Sequence, residues 1–102
     1  MGGFGDHHMK KRFRLARLEQ DLLRRIGNGS SRDIQLRLAD EIRLAKIRVL
    51  RVELANILPS AIVGNKRYAK LEAEISTLDA ISPEEILNEF LVREIKPKDV
   101  SA

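Results

Sequence analysis

The 102-residue chain contains no cysteine, which excludes a disulfide scaffold and any zinc site built on cysteine ligands. Aromatic residues are nearly missing: Phe4, Phe13, Tyr68 and Phe90 are all there are, so the core must be aliphatic. No apolar run approaches the roughly 20 residues that span a bilayer as a helix. The start, Met1–His8, lacks the apolar centre of a secretory signal, so the expected compartment is cytoplasmic and no membrane partner is expected. Histidine occurs only as the adjacent pair His7–His8, in a Gly-rich start where no second residue can orient either ring. Gly-rich phosphate loops, nucleophile elbows and metal-ligand spacings are also missing. The expectation is a protein with no catalytic, metal or cofactor residues, and so not an enzyme.

What remains is a helix-forming mixture of Leu, Ile, Ala, Glu, Lys and Arg, with 33% of residues charged and 43% hydrophobic. That composition suits bundles and coiled coils, and the length suits one small domain. The net charge of +4 is unevenly spread. Residues 1–27 carry seven cations against three acids, whereas residues 82–95 carry one cation against four acids. One end is basic and the other acidic, and this polarity says more about partners than the total does.

Along the chain, residues 1–8 read as a disordered start, residues 9–95 as one helical oligomerisation domain, and residues 96–102 as a frayed tail. Leu15, Leu18, Leu22 and Ile26 line one face of a first helix from Met9 to Ile26. Gly27 is expected to take the left-handed cap position behind Arg24 and Arg25. Ser30, three residues before Asp33, is expected to cap the next helix. From Arg32 to Leu58 no glycine or proline interrupts the chain. The stretch Ile47–Leu54 partly alternates, as a strand would, but an uninterrupted strand of that length is far outside the usual range, so helix is the reading. Pro59 ends it, and Gly64–Asn65 marks a turn. Tyr68, Leu71, Ile75 and Leu78 then form a narrow seam on a third helix, which is expected to fold back on the second as an antiparallel hairpin. Ser82-Pro83-Glu84-Glu85 starts a short acidic fourth helix.

The long helix carries two apolar stripes. At about 100° per residue, Ile34, Leu38, Ile42, Ala45, Val49 and Val52 fall together, and Leu36, Ile47, Leu50, Leu54, Ile57 and Leu58 gather roughly opposite. Gln35, Lys46 and Glu53 fill one flank; Arg37, Glu41 and Arg48 fill the other. A surface helix needs one stripe, and exposing the second would exceed what soluble monomers tolerate. A four-helix monomer wrapping this helix from both sides is the alternative. The preferred expectation is a homo-oligomer whose interface is Leu36, Ile47, Leu50, Leu54, Ile57 and Leu58.

Lys10, Lys11, Arg12, Arg14, Arg17, Arg24 and Arg25 crowd one short helix. They are the candidates for sequence-independent contact with the phosphates of double-stranded DNA, against the plainer reading of a solvated face. Glu84, Glu85, Ile86, Glu89, Phe90 and Leu91 form an acidic unit with one apolar edge. Such a unit either docks on a partner or packs on its own hairpin.

The segment Leu38-Ala39-Asp40-Glu41-Ile42-Arg43-Leu44-Ala45-Lys46-Ile47-Arg48-Val49-Leu50, followed by Tyr68-Ala69-Lys70-Leu71-Glu72-Ala73-Glu74-Ile75-Ser76-Thr77-Leu78, resembles the central oligomerisation hairpin of small terminase subunits from tailed bacteriophages and gene-transfer particles. The resemblance implies a non-catalytic, oligomerising, DNA-associated recruiting protein of viral DNA packaging. It implies a larger ATPase–nuclease subunit as partner, met through residues 82–95. Many members carry an N-terminal helix-turn-helix; residues 9–30 here hold one helix instead, so DNA contact would fall to the basic first helix. The alternative function is a protein-only helical adaptor or regulator whose basic helix binds an acidic protein surface.

Overall fold

A central helix touched by all three others organises the chain. The computed structural model describes residues 3–95, with side chains described from 9 to 93; the expected tail, 96–102, lies outside the described residues. The described residues are all-α: α1 (Gly3–Gly27), α2 (Arg32–Ala55), a 3-10 turn (Pro59–Ala61), α3 (Lys66–Ala80) and α4 (Pro83–Ile95). No strand occurs among them, and Ile47–Leu54 lies within α2. Helix α2 packs against α1, α3 and α4, and α1 also meets α4.

Local chemistry sets the boundaries. Helix α1 begins at Gly3 rather than Met9, so residues 3–8 are helical, not the disordered start their glycines suggest. It ends in a Schellman motif: the Ser30 amide donates to the Arg25 carbonyl at 3.0 Å and the Gly29 amide to that of Ile26 at 3.2 Å. The left-handed residue is therefore Gly29, at φ +72°, and not Gly27. With Ser30 used in this way, capping of α2 moves on by one residue, and Ser31 Oγ accepts from the Ile34 amide at 3.4 Å. Asn65 Oδ1 caps α3 by accepting from the Tyr68 amide at 2.9 Å, and Ser82 Oγ caps α4 through the Glu85 amide at 3.4 Å. Helix α2 stops at Ala55, short of Leu58. Pro59 holds Leu58 in extended backbone, φ −63° and ψ 141°, as a residue preceding proline prefers.

The core gathers Leu22 from α1, Ala39 and Ile42 from α2, and Ile86, Leu87 and Phe90 from α4, all essentially without solvent contact. Two contacts register α3 on α2: Arg67 Nη2 bonds Glu53 Oε1 at 2.8 Å and Arg43 Nη1 bonds the Leu78 carbonyl at 3.0 Å. Residue numbers thus rise along one helix as they fall along the other.

One copy supplies more cover for α2 than its two stripes suggest. The flank Gln35, Lys46 and Glu53 is half-buried, whereas Arg37, Glu41 and Arg48 are exposed. The reason is Ala39, which shares that first flank and is 0% exposed. Its single methyl lets α4 seat Phe90 and Ile86 in the same cluster between the stripes. Both stripes then border one covered side, and the inner residues of the second stripe need no second copy to hide them. Ile47 is 4% exposed, and Leu36 packs on the core.

Candidate nucleic-acid interface

The seven cations of α1 do not act as one group, because the helix sorts them by angle. Taking Lys10 as reference at about 100° per residue, Arg14, Arg17 and Arg24 fall within an arc of about 80°. The core residues Leu15, Leu18, Leu22 and Ile26 centre about 125° from Lys10. Lys10, Arg14, Arg17 and Arg24 are all exposed and line one open concavity with Phe13 and Asp21. Lys11 and Arg25 lie at the core-facing edge and are half-buried, with the Arg25 Nε enclosed and unpartnered among the described residues. Arg12 is exposed but sits on the far flank, about 200° from Lys10. The structure thus brings four of the seven candidates together.

Along the axis, Lys10 to Arg24 covers about 21 Å at about 1.5 Å per residue. That length spans roughly six phosphates of one strand at about 3.4 Å each. Lys10, Arg14 and Arg17 have no ion-pair partner among the described residues; Arg24 is paired with Asp21, one turn earlier on the same arc. Phe13, 74% exposed, and Met9, 70% exposed, lie beside the arc on the side away from the core. Asp21 and Phe13 were not among the sequence candidates, although the i, i+4, i+7, i+14 spacing of the four cations would have drawn both in.

The other two candidate groups divide as well. Of the α4 set, Ile86 and Phe90 are 1% and 0% exposed and belong to the core, so they are not open to a partner. Leu91 is half-buried against that core. The carboxylates of Glu84, Glu85 and Glu89 face solvent, Glu84 lying 3.7 Å from Arg32. The spacing Ile86, Leu87, Phe90 is that of a core stripe. Of the second-stripe set, Leu50 floors a groove of about 510 Å³ bordered by Leu15, Ala73, Leu78 and Ile86. Leu54 and Ile57 are half-buried, and Leu58 is 68% exposed at the α2–α3 connection, near Val63 at 95%.

Among the described residues no cluster of three or more His, Asp or Glu could hold a metal ion; the side chains of His7 and His8 lie outside them. Among the described residues, no helix is long and apolar enough to cross a membrane. Compared with known proteins, the chain matches no family model, no curated protein and no solved structure.

Proposed function

We propose that this protein is a non-catalytic, DNA-associated recruiting protein in which α1 lies along the phosphate backbone of a duplex. The observation that carries the reading is the exposed arc Lys10, Arg14, Arg17 and Arg24, three of whose cations have no acidic partner among the described residues. Cations at helical spacing on a face turned from the core can each meet a phosphate and release its counterions. They read no base edges, so binding is independent of sequence. The exposed Glu84, Glu85 and Glu89 repel the duplex and suit a basic surface on a protein partner. In the small-terminase reading that partner is the larger ATPase–nuclease subunit. The α2–α3 pair, with Glu53 beside Arg67 and Arg43 beside Leu78, supports the antiparallel hairpin of the same reading. Contacts between copies then fall to the open end of the second stripe, Leu54, Ile57 and Leu58.

Fluorescence anisotropy with labelled duplex DNA tests this function. Binding at low salt should weaken steeply between roughly 50 and 200 mM salt. The quadruple variant Lys10→Gln, Arg14→Gln, Arg17→Gln, Arg24→Gln should abolish it with helical content intact. Binding of the unaltered protein to an acidic polypeptide but not to DNA would overturn the reading in favour of the protein-only adaptor.

A further inference from the structure

Helix α2 carries six cations, and the structure accounts for only three. Arg43 is committed to Asp40 and the Leu78 carbonyl, Arg32 lies beside Glu84, and Lys46 is half-buried at the groove between helices. Arg37, Arg48 and Arg51 are exposed and have no ion-pair partner among the described residues. At about 100° per residue the three fall within an arc of about 60°. That arc is the one side of α2 left uncovered by α1, α3 and α4. Asp33 shares that arc and Glu41 borders it, and Leu44, which is 38% exposed, lies within it.

We propose that this open face of α2 is a second phosphate-contacting surface, which engages the same duplex as the α1 arc; the inference rests on the DNA-binding reading above. Two observations beyond the charge count support it. Helices α1 and α2 are joined by a short turn and pack along each other. Packed helices lie about 8–10 Å apart, a separation comparable with a major groove about 12 Å wide. Helix α4 has the opposite balance, with Glu84, Glu85 and Glu89 exposed against Arg93, whereas on α3 the exposed Glu72, Glu74 and Asp79 are matched by Lys66, Arg67 and Lys70. The exposed cationic excess therefore lies on α1 and α2 and the acidic excess on α4. The guanidinium groups of Arg37, Arg48 and Arg51 offer the planar donor fork that phosphate oxygens accept.

The salt dependence of duplex binding tests the proposal, using the full chain and a labelled duplex. Each phosphate contact contributes about one unit to the slope of log K against log salt. The variant Arg37→Gln, Arg48→Gln, Arg51→Gln should reduce that slope by about three units, while Lys66→Gln with Lys70→Gln on α3 should leave it unchanged. Glu41→Gln should tighten binding. All these positions are exposed, and unchanged circular dichroism will show that the fold is kept. If the α1 quadruple variant loses binding while the α2 triple variant keeps the full slope, the second surface is refuted and the first stands. If the unaltered protein binds no duplex at low salt, the DNA reading itself fails, and the α2 proposal with it.

Discussion

Arg43 of α2 donates from Nη1 to the carbonyl oxygen of Leu78 in α3 at 3.0 Å, while its Nε holds Asp40 Oδ1, also at 3.0 Å. Leu78 lies in the last turn of α3, whose final carbonyls have no intrahelical donor. One guanidinium thus closes that helix end, places a cation at the negative end of its dipole, and fixes α3 against α2.

Replacing Arg43 by methionine keeps the aliphatic stem and removes both bonds. A part-buried acceptor left unpaired costs about 1–3 kcal/mol, so Arg43→Met should destabilise the fold by that order, read from the midpoint of urea unfolding. Lysine has no fork to reach both acceptors, so Arg43→Lys should recover only part of the loss. An unchanged midpoint in both variants would show that the bond to Leu78 contributes nothing net.

Phe90 is enclosed among Leu22, Ala39, Ile42, Ile86 and Leu87, with the Arg93 guanidinium 4.6 Å above its ring. Its truncation to alanine should cost about 3–5 kcal/mol. Deleting residues 82–95 should go further and unfold the chain, since it uncovers Leu22, Ala39 and Ile42 together. A deletion product that keeps full helical content and a sharp unfolding transition would return α4 to the role of a detachable docking segment.

Much of this architecture was legible because short-range chemistry dictates it. The seam Tyr68, Leu71, Ile75, Leu78 and the face Leu15, Leu18, Leu22, Ile26 are periodic enough to place two helices and their inward sides. Asn65 and Ser82-Pro83 cap where their side chains can reach an orphan amide. Less legible was anything settled by a neighbour. Ala39 reads as neutral in a wheel, yet its small volume admits α4 and turns a charged flank into a covered one. The wheel likewise separates Arg12 from Lys10, but it does not show that Arg25 is drawn toward the core. The start of α1 at Gly3 went unread because glycine propensity is a weak prior that a continuing helix overrides.

The turn between α1 and α2 offers a test in which no packing intervenes. Gly29 sits at φ +72°, and a Cβ placed there would meet nothing within 4 Å. Gly29→Ala should therefore cost only the left-handed backbone penalty, about 1–2 kcal/mol. Gly29→Asn should cost less, because asparagine tolerates that region. Gly27→Ala, in ordinary helical backbone, should stabilise slightly. Thermal unfolding of the three variants checks the ordering; equal losses at 27 and 29 would contradict the assignment of the Schellman position.

Ile47 and Leu58 separate the two ways the second stripe can matter. Ile47 is enclosed within one chain and Leu58 is not. Ile47→Lys buries an unpaired charge and should unfold the protein at any concentration. Leu58→Lys should leave the unfolding midpoint within about 0.5 kcal/mol of the parent, as surface changes do, and should lower the solution mass if copies meet at this end. Light scattering on the Leu58 variant, beside the unaltered protein, decides this. A parent that is already monomeric removes self-association from the proposed function and leaves the fold untouched.

Asp21 offers a gain rather than a loss. It lies on the cationic arc of α1 and holds Arg24 in an ion pair one turn away, so it both lowers the field of the arc and occupies one of its four cations. The pair is exposed and contributes little to stability, about 0–1 kcal/mol. Asp21→Asn should therefore leave unfolding nearly unchanged while tightening duplex binding and steepening the salt slope by about one unit as Arg24 becomes free. Glu19→Gln removes the same charge from the same helix but lies on the far side from Lys10, and should change the slope by much less. If both variants shift binding equally, only the net charge of the protein matters and the arc has no geometric meaning. A difference confined to Asp21 would tie the interaction to the face on which Lys10, Arg14, Arg17 and Arg24 lie.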